Sequence, residues 1–262
     1  MKGTTISLFV FGSMFFGGAV PKAQALQCSN ASLKGAYGFQ ISSTVLPAGT
    51  PRGVLDRINF DGNGHFADAV TFNDKGTITH RHDTGAYSVN ADCTGTIFPD
   101  TGGTIGIVVV QGGKEFYQLR TNPPNIVFQF NSGKKQFADD HVRQCSNASL
   151  KGAYGFFTGQ VAASAKTPLA ALGRAIFDGN GNFSTAITFN NGGTATLMQD
   201  SGPYTVNADC TGTIGILGGT GTIEIVLVDN GNQFYQLQTA PSDIVFIFSV
   251  AKKQSSDDDN EQ

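Results

Sequence analysis

One arginine, one acid and three tyrosines recur at matching positions in the two halves of this 262-residue chain. The pairs are Arg57 and Arg174, Asp83 and Asp200, Tyr37 and Tyr154, Tyr87 and Tyr204, and Tyr117 and Tyr235. The arginine lies inside a largely apolar segment, so a guanidinium that faces the interior could anchor an anionic or carbonyl group of an apolar ligand. The alternative is structural: an ion pair with an acid, or an arginine that points into solvent. We predict these residues as the candidate ligand-binding site.

Other reactive residues give little support for catalysis. His80 and His82 are spaced to share one face of a strand, as two metal ligands would, but the second half has Leu197 and Gln199 there. No histidine is common to both halves to act as a general base, and no G-x-S-x-G segment supplies a nucleophile. We predict no catalytic residue, no metal and no cofactor. Enzymatic activity stays open, and the sequence favours a protein that is not an enzyme.

The cysteines predict disulfides. Cys28 and Cys93 have the same spacing as Cys145 and Cys210, and four cysteines allow three pairings. Only pairing within each half gives both halves the same bond, so we predict Cys28–Cys93 and Cys145–Cys210. The rival interpretation is zinc, but two thiols in each half without companion histidines fall short of four ligands.

The two halves are copies of one unit. The segments that recur unchanged are residues 28–39 at 145–156, 60–64 at 177–181 and 90–97 at 207–214. Each copy is long enough to bury its own core, which predicts two similar domains.

The first residues of the chain predict export. Lys2, an apolar stretch and Ala23-Gln24-Ala25 have the form of a signal peptide, so we expect cleavage near Ala25 and a secreted or periplasmic protein. The net charge of −3 and the scattered lysines exclude nucleic acid as a partner, and no later segment is apolar enough for a membrane span. The predicted organisation is a signal peptide (1–25), a first repeat (26–136), a linker (137–144), a second repeat (145–254) and a disordered acidic tail (255–262).

The residues between the turns alternate with the period of β-strands. Ile105, Ile107 and Val109 illustrate this period, and glycine-rich turns such as residues 61–64 separate the strands. We predict about eight strands in each copy. In the first copy they lie near 33–43, 53–60, 65–73, 76–83, 85–90, 94–98, 104–110 and 114–120, with a closing strand at 125–130. Short antiparallel strands must hide their edges, which favours an all-β fold of two tandem up-and-down barrels. The alternative is a pair of β-sandwiches.

The repeated motifs resemble those of a family of uncharacterised secreted bacterial proteins. The motifs are Cys-x4-Leu-Lys-Gly-x-Tyr-Gly-Phe, Phe-Asp-Gly-x-Gly and Tyr-x-Val-Asn-x-Asp-Cys-Thr-Gly-Thr, and each occurs in both copies. Residues 33–37 and 150–154 also resemble the G-x-W start of calycin barrels, with Tyr in place of Trp. The resemblance implies a small barrel, similar in strand count to allene oxide cyclases, and brings no known activity.

Together these features predict a secreted binding or structural module, with a small apolar ligand as the expected partner. One alternative is an isomerase or cyclase of the allene oxide cyclase type, in which an interior polar cluster includes Arg57 or Arg174. Another is a surface or matrix interaction module built on a solid barrel. The two repeats could also pack together as a pseudo-dimer.

Overall fold

The computed structural model describes residues 27–138, 143–162, 168–242 and 244–254. These residues form two closed antiparallel barrels of eight strands, in which neighbouring strands pair in sequence order and the last strand pairs with the first. The predicted fold class is therefore confirmed, and the sandwich alternative is wrong. The predicted signal peptide, the acidic tail and the centre of the linker at 139–142 lie outside the described residues.

The first barrel contains β1 (Gly35–Val45), β2 (Thr50–Phe60), β3 (His65–Asp74), β4 (Thr77–Val89), β5 (Thr94–Pro99), β6 (Thr104–Val110), β7 (Glu115–Asn122) and β8 (Ile126–Lys135). The second contains β9 (Lys151–Ala162), β10 (Pro168–Asp178), β11 (Asn182–Asn191), β12 (Thr194–Val206), β13 (Thr211–Ile216), β14 (Gly221–Val228), β15 (Gln233–Ala240) and β16 (Ile244–Lys253). Short 3-10 turns occur at Asn30–Leu33, Gln111–Gly113, Asn147–Ser149, Leu217–Gly219 and Asp229–Gly231.

One strand differs from the sequence-based prediction. The segments 76–83 and 85–90 are a single strand, β4, which pairs with β3 along its first part and with β5 near its end. A glycine is needed at position 85 inside β4, because a Cβ there would lie 2.2 Å from the backbone oxygen of Phe98 on β5. The glycine therefore marks a close approach of two backbones rather than a turn.

Both barrels are closed at one end by a disulfide and aromatic rings. The bonds Cys28–Cys93 and Cys145–Cys210 are present as predicted. Beneath them, three buried rings pack against one another in each barrel, with centroids 5.5 to 5.8 Å apart. These rings belong to Tyr37, Phe60 and Phe116 in the first barrel and to Tyr154, Phe177 and Phe234 in the second.

Apolar side chains on the outside of the barrels join the two. Leu55 on β2 packs in one cluster with Val226 on β14 and with Tyr235 and Leu237 on β15. Gly38 on β1 lets the strands come close, because a Cβ there would lie 2.5 Å from Cγ1 of Val226. This outer surface is therefore buried by the neighbouring barrel, in addition to the core inside each barrel.

Polar contacts surround this apolar cluster. The Nε of Arg57 donates to the carbonyl oxygen of Asp209 at 2.7 Å. The carboxylate of Glu224 accepts a hydrogen bond from the Thr71 hydroxyl at 2.7 Å and lies 2.8 Å from Nε2 of His80. At the contact between the barrels, apolar residues therefore pack against apolar residues, and the carboxylate of Glu224 has hydrogen-bond partners on the other barrel.

Candidate ligand-binding site

The second barrel is hollow. A cavity of about 380 Å³ occupies its interior above the closed end. Most of its lining is apolar and contains five phenylalanines: Phe156, Phe177, Phe183, Phe189 and Phe234. The cavity opens at the end opposite the disulfide, where the lining residues Thr196 and Leu217 are exposed. A hollow of this size and composition suits a small apolar molecule.

Small residues on β10 create part of this space. Ala171 and Ala175 line the cavity, whereas the first barrel has Val54 and Ile58 at the same positions. All four side chains face inward on equivalent strands, so the larger aliphatic groups fill the space in the first barrel that alanine leaves open in the second.

A third position on the same strand is charged in the first barrel and is a glycine covered by an aromatic ring in the second. Gly173 stands where the first barrel has Asp56, and a Cβ at Gly173 would lie 2.4 Å from Cζ of Phe156. The aromatic ring therefore lies directly over the glycine. This exchange replaces a carboxyl group by an apolar wall.

The polar groups of the second cavity are few and mostly satisfied by the barrel itself. The side-chain amides of Gln236 and Gln238 donate to neighbouring oxygens at 2.6 and 2.9 Å. Asp200 is the charged residue in the lining, and its carboxylate accepts the backbone N–H of Leu217 at 2.7 Å near the opening. The lining therefore presents one carboxylate and no cation to an occupant, among the described residues.

The first barrel has a different interior. Its cavity is only about 80 Å³, because charged side chains occupy much of the space. These inward-facing residues, with Asp74 at their edge, are Arg52, Arg81, Arg120, Asp56, Asp68 and Asp83. The second barrel has Leu169, Met198, Gln238, Gly173, Thr185 and Asp200 in their place. Asn191 occupies the position equivalent to Asp74. Only the aspartate at 83 and 200 is kept, so the two interiors have diverged in chemistry while the fold is the same.

The charges of the first barrel are paired in part. Arg52 forms an ion pair with Asp74, and Nη2 of Arg81 lies 2.6 Å from Oδ2 of Asp83. Both guanidinium groups also lie over the ring of Phe72, at 5.5 and 4.8 Å from its centroid. These contacts hold the arginines on the wall of the barrel.

Two acids in this cluster bind protons more readily than usual. Burial, strengthened by repulsion from Asp68 and Asp83, raises the pKa of Asp56 well above its ordinary value. Burial also raises the pKa of Asp68 to about 6, although it accepts the backbone N–H of Asp83. Desolvation lowers the pKa of Arg120, with repulsion from the other two arginines of the cluster as a smaller cause. One oxygen of Asp56 and the Nε of Arg120 are buried without a hydrogen-bond partner among the described residues.

The two arginines predicted from the sequence lie on the outside of the barrels. Arg57 donates to the carbonyl of Asp209 in the other barrel, and Nε of Arg174 donates to Oε1 of Gln254 at 2.7 Å. Their strand positions alternate with those that face inward, such as Asp56. Neither arginine lines an interior cavity.

The predicted tyrosines also lie away from the cavities. Tyr117 is exposed, whereas Tyr235 is buried between the barrels, where burial raises its pKa to about 12. The other four, Tyr37, Tyr154, Tyr87 and Tyr204, belong to the closed ends. Their hydroxyls donate to the carbonyl oxygens of Gly113, Gly231, Asn30 and Leu150, in that order. Of the predicted site residues, Asp83 and Asp200 line the two interior cavities, and Arg174 lies with Asp200 at a separate pocket formed by β10, β11 and β12.

Sequence reasoning missed the residues that distinguish the two interiors. It gave weight to chemistry shared by both copies, and the cavity depends on positions where the copies differ. The available signal was a set of replacements at alternate strand positions. Asp68 to Thr185 and Arg81 to Met198 both exchange a charged for an uncharged residue on one face.

Comparison with known proteins gives no family. No family model matches the chain, and no curated protein matches it. Among solved structures, similar chains include a candidate AttH protein from Nitrosomonas europaea (10% identity, TM-score 0.28, covering 94% of this chain and 100% of that one). Others are kievitone hydratase from Nectria haematococca (9%, 0.31, 90% and 94%) and a DUF3598-family protein of unknown function from Nostoc punctiforme (9%, 0.22, 84% and 94%). Likenesses this weak carry no argument about function. The motif resemblance to a secreted bacterial family stays a prediction.

Proposed function

We propose that this protein is an extracytoplasmic binding protein whose second barrel holds one small, neutral, apolar molecule. The observation that carries the proposal is the cavity of about 380 Å³, which lies within the range of small-molecule sites, roughly 300–1,000 Å³. Two disulfides are compatible with an oxidising compartment outside the cytoplasm. No helix among the described residues is long and apolar enough to cross a membrane.

The lining narrows the class of ligand. Phenylalanine rings favour an apolar and preferably aromatic or polycyclic molecule. Asp200 at the opening repels a carboxylate or sulfonate, and the described residues that line the cavity include no cation to pair with one. The ligand class is therefore neutral rather than a fatty acid. In the first barrel, the cavity among the charged inward-facing residues measures only about 80 Å³.

The cyclase alternative has less support. It requires an interior polar cluster that includes Arg57 or Arg174, and both side chains bond to partners on the outside of the barrels.

The experiment is a fluorescence titration with N-phenyl-1-naphthylamine, a neutral apolar probe. The test variant is Ala171→Val/Ala175→Ile, which gives the second barrel the side chains of the first. We expect it to weaken probe binding at least about tenfold, equal to about 1.4 kcal/mol, because five added carbons occupy the cavity. The same carbons are buried in empty space, so we also expect stability to rise by about 0.5–2 kcal/mol.

The matched control is Ala186→Ile, an exposed position on the outer face of β11. It adds the same side chain outside the cavity, so probe affinity should not change. Binding that is equal in all three proteins would refute the proposal, as would a saturable wild-type site that prefers an anionic naphthalene sulfonate.

A further inference from the structure

The contact between the barrels is not symmetric. The first barrel contributes a surface around β2, formed by Gly38, Leu55 and Arg57, which we call the β2 surface. The second barrel contributes a surface around β15, formed by Val226, Tyr235 and Leu237, which we call the β15 surface. These surfaces come from different strands of the repeated unit. An interface of this heterologous kind leaves one unused surface on each partner.

The first barrel carries its own copy of the β15 surface. Val108, Tyr117 and Leu119 occupy the equivalent positions and form what we call the β7 surface. Tyr117 is 50% exposed and Leu119 is 55% exposed, whereas Tyr235 and Leu237 are 4% and 0% exposed. The same apolar side chains are therefore buried in one barrel and open to solvent in the other.

The second barrel likewise carries a copy of the β2 surface. Gly155, Leu172 and Arg174 form what we call the β10 surface, in which Leu172 is 63% exposed and its counterpart Leu55 only 3%. Gly155 has ample room, since its Cβ would meet nothing closer than Nε2 of Gln254 at 3.9 Å. Packing within one chain therefore explains the glycine at Gly38 but not the one at Gly155. A barrel seated on the β10 surface would explain both.

Polar positions around the two unused surfaces also match. Within the chain, Nζ of Lys134 contacts Oδ2 of Asp229 at 3.0 Å and Oε1 of Gln233 at 3.2 Å. On the unused surfaces the lysine corresponds to Lys252, and its two partners correspond to Gln111 and Glu115, so an acid is again available to the lysine, at the second position instead of the first.

A second pair of positions changes together. His80 lies 2.8 Å from Glu224 across the contact between the barrels. The corresponding residues are Leu197 on the second barrel and Gly106 on the first, so a leucine would face a glycine. Burying an unpaired charge would oppose docking, and neither of these two residues carries a charge. The match does not extend to Gln40, which accepts the N–H of Ser249 within the chain and is replaced by phenylalanine in the second barrel.

We propose that copies of this protein assemble head to tail, with the β7 surface of one copy seated on the β10 surface of the next. Repeating the contact found inside the chain joins the last barrel of one copy to the first barrel of another. Because the contact is heterologous, it builds an open row or a closed ring rather than a two-fold dimer.

The experiment measures mass in solution by sedimentation velocity for the wild type, Leu119→Glu and Leu172→Glu. We expect the average mass of the wild type to grow over about a hundredfold range of concentration, as mass action requires. Each variant places a charge on one exposed surface only and should remain monomeric. An equimolar mixture should form a heterodimer and stop there, because each variant retains the surface that the other has lost.

The control is Phe98→Glu, which adds the same charge at another exposed apolar residue, on β5 outside both surfaces. It should associate like the wild type. Thermal unfolding of all variants checks that the fold is kept. A monomeric wild type, association that survives both single variants, or variants that fail to combine would each overturn the proposal. If the two variants fail to combine and the wild type is a dimer, the contact between copies is two-fold instead.

Discussion

Replacing Asp68 by asparagine should stabilise the first barrel near neutral pH and have little effect in acid. Asp68 faces the interior beside Asp56 and Asp83, with Arg81 as a nearby cation. Burial raises its pKa to about 6, from an ordinary value of 3.8. Its charged form is therefore disfavoured in the folded state, and asparagine removes that charge while keeping an oxygen for the N–H of Asp83.

The magnitude follows from the shift. A difference of about two pH units between the folded and unfolded pKa corresponds to about 3 kcal/mol at 1.36 kcal/mol per unit. Because the folded pKa is raised, the wild type loses this stability as the pH rises from about 4 to about 6. The free energy of unfolding of Asp68→Asn should thus exceed that of the wild type by up to about 3 kcal/mol at pH 7 and by almost nothing at pH 4.

Urea unfolding followed by circular dichroism at several pH values measures this difference directly. The reciprocal variant, Thr185→Asp, places a carboxyl at the matching position of the second barrel, where Met198 replaces the arginine. It should destabilise that barrel at pH 7 and leave it nearly unchanged at pH 4. The reasoning is refuted by a stability difference for Asp68→Asn that is independent of pH, or by a loss of stability at pH 7.

Two further predictions concern the framework. Removing one disulfide with Cys28→Ser/Cys93→Ser should lower the stability of its barrel by about 4 kcal/mol in the chain-entropy model, measured by urea unfolding without reductant; an unchanged midpoint would contradict this. Gly38→Ala should lower the stability of the protein by about 1–3 kcal/mol, because its methyl group would overlap Val226. Gly155→Ala should lower it clearly less in dilute protein. Equal losses of stability in thermal unfolding would show that the barrels do not pack this closely.

Much of the framework could be predicted from the sequence. The duplication and equal cysteine spacing predicted the disulfides, because only pairing within each copy gives both copies the same bond. Period-two alternation predicted the strands and, with the need to hide strand edges, the barrels. The predicted break between residues 83 and 85 was wrong, since β4 is continuous there, and only the close backbone of β5 shows why a glycine lies inside the strand.

The candidate site depended on tertiary structure. Alternation divides a strand into two faces, but it does not say which face is enclosed when the barrel closes. Leu55 and Tyr235 are apolar and buried although they point outward, because the neighbouring barrel covers them. An apolar face around Arg57 therefore suggested an interior that the arginine does not occupy. The cavity itself depends on how much space Ala175 and its neighbours leave unfilled, and that volume exists only once eight strands enclose it.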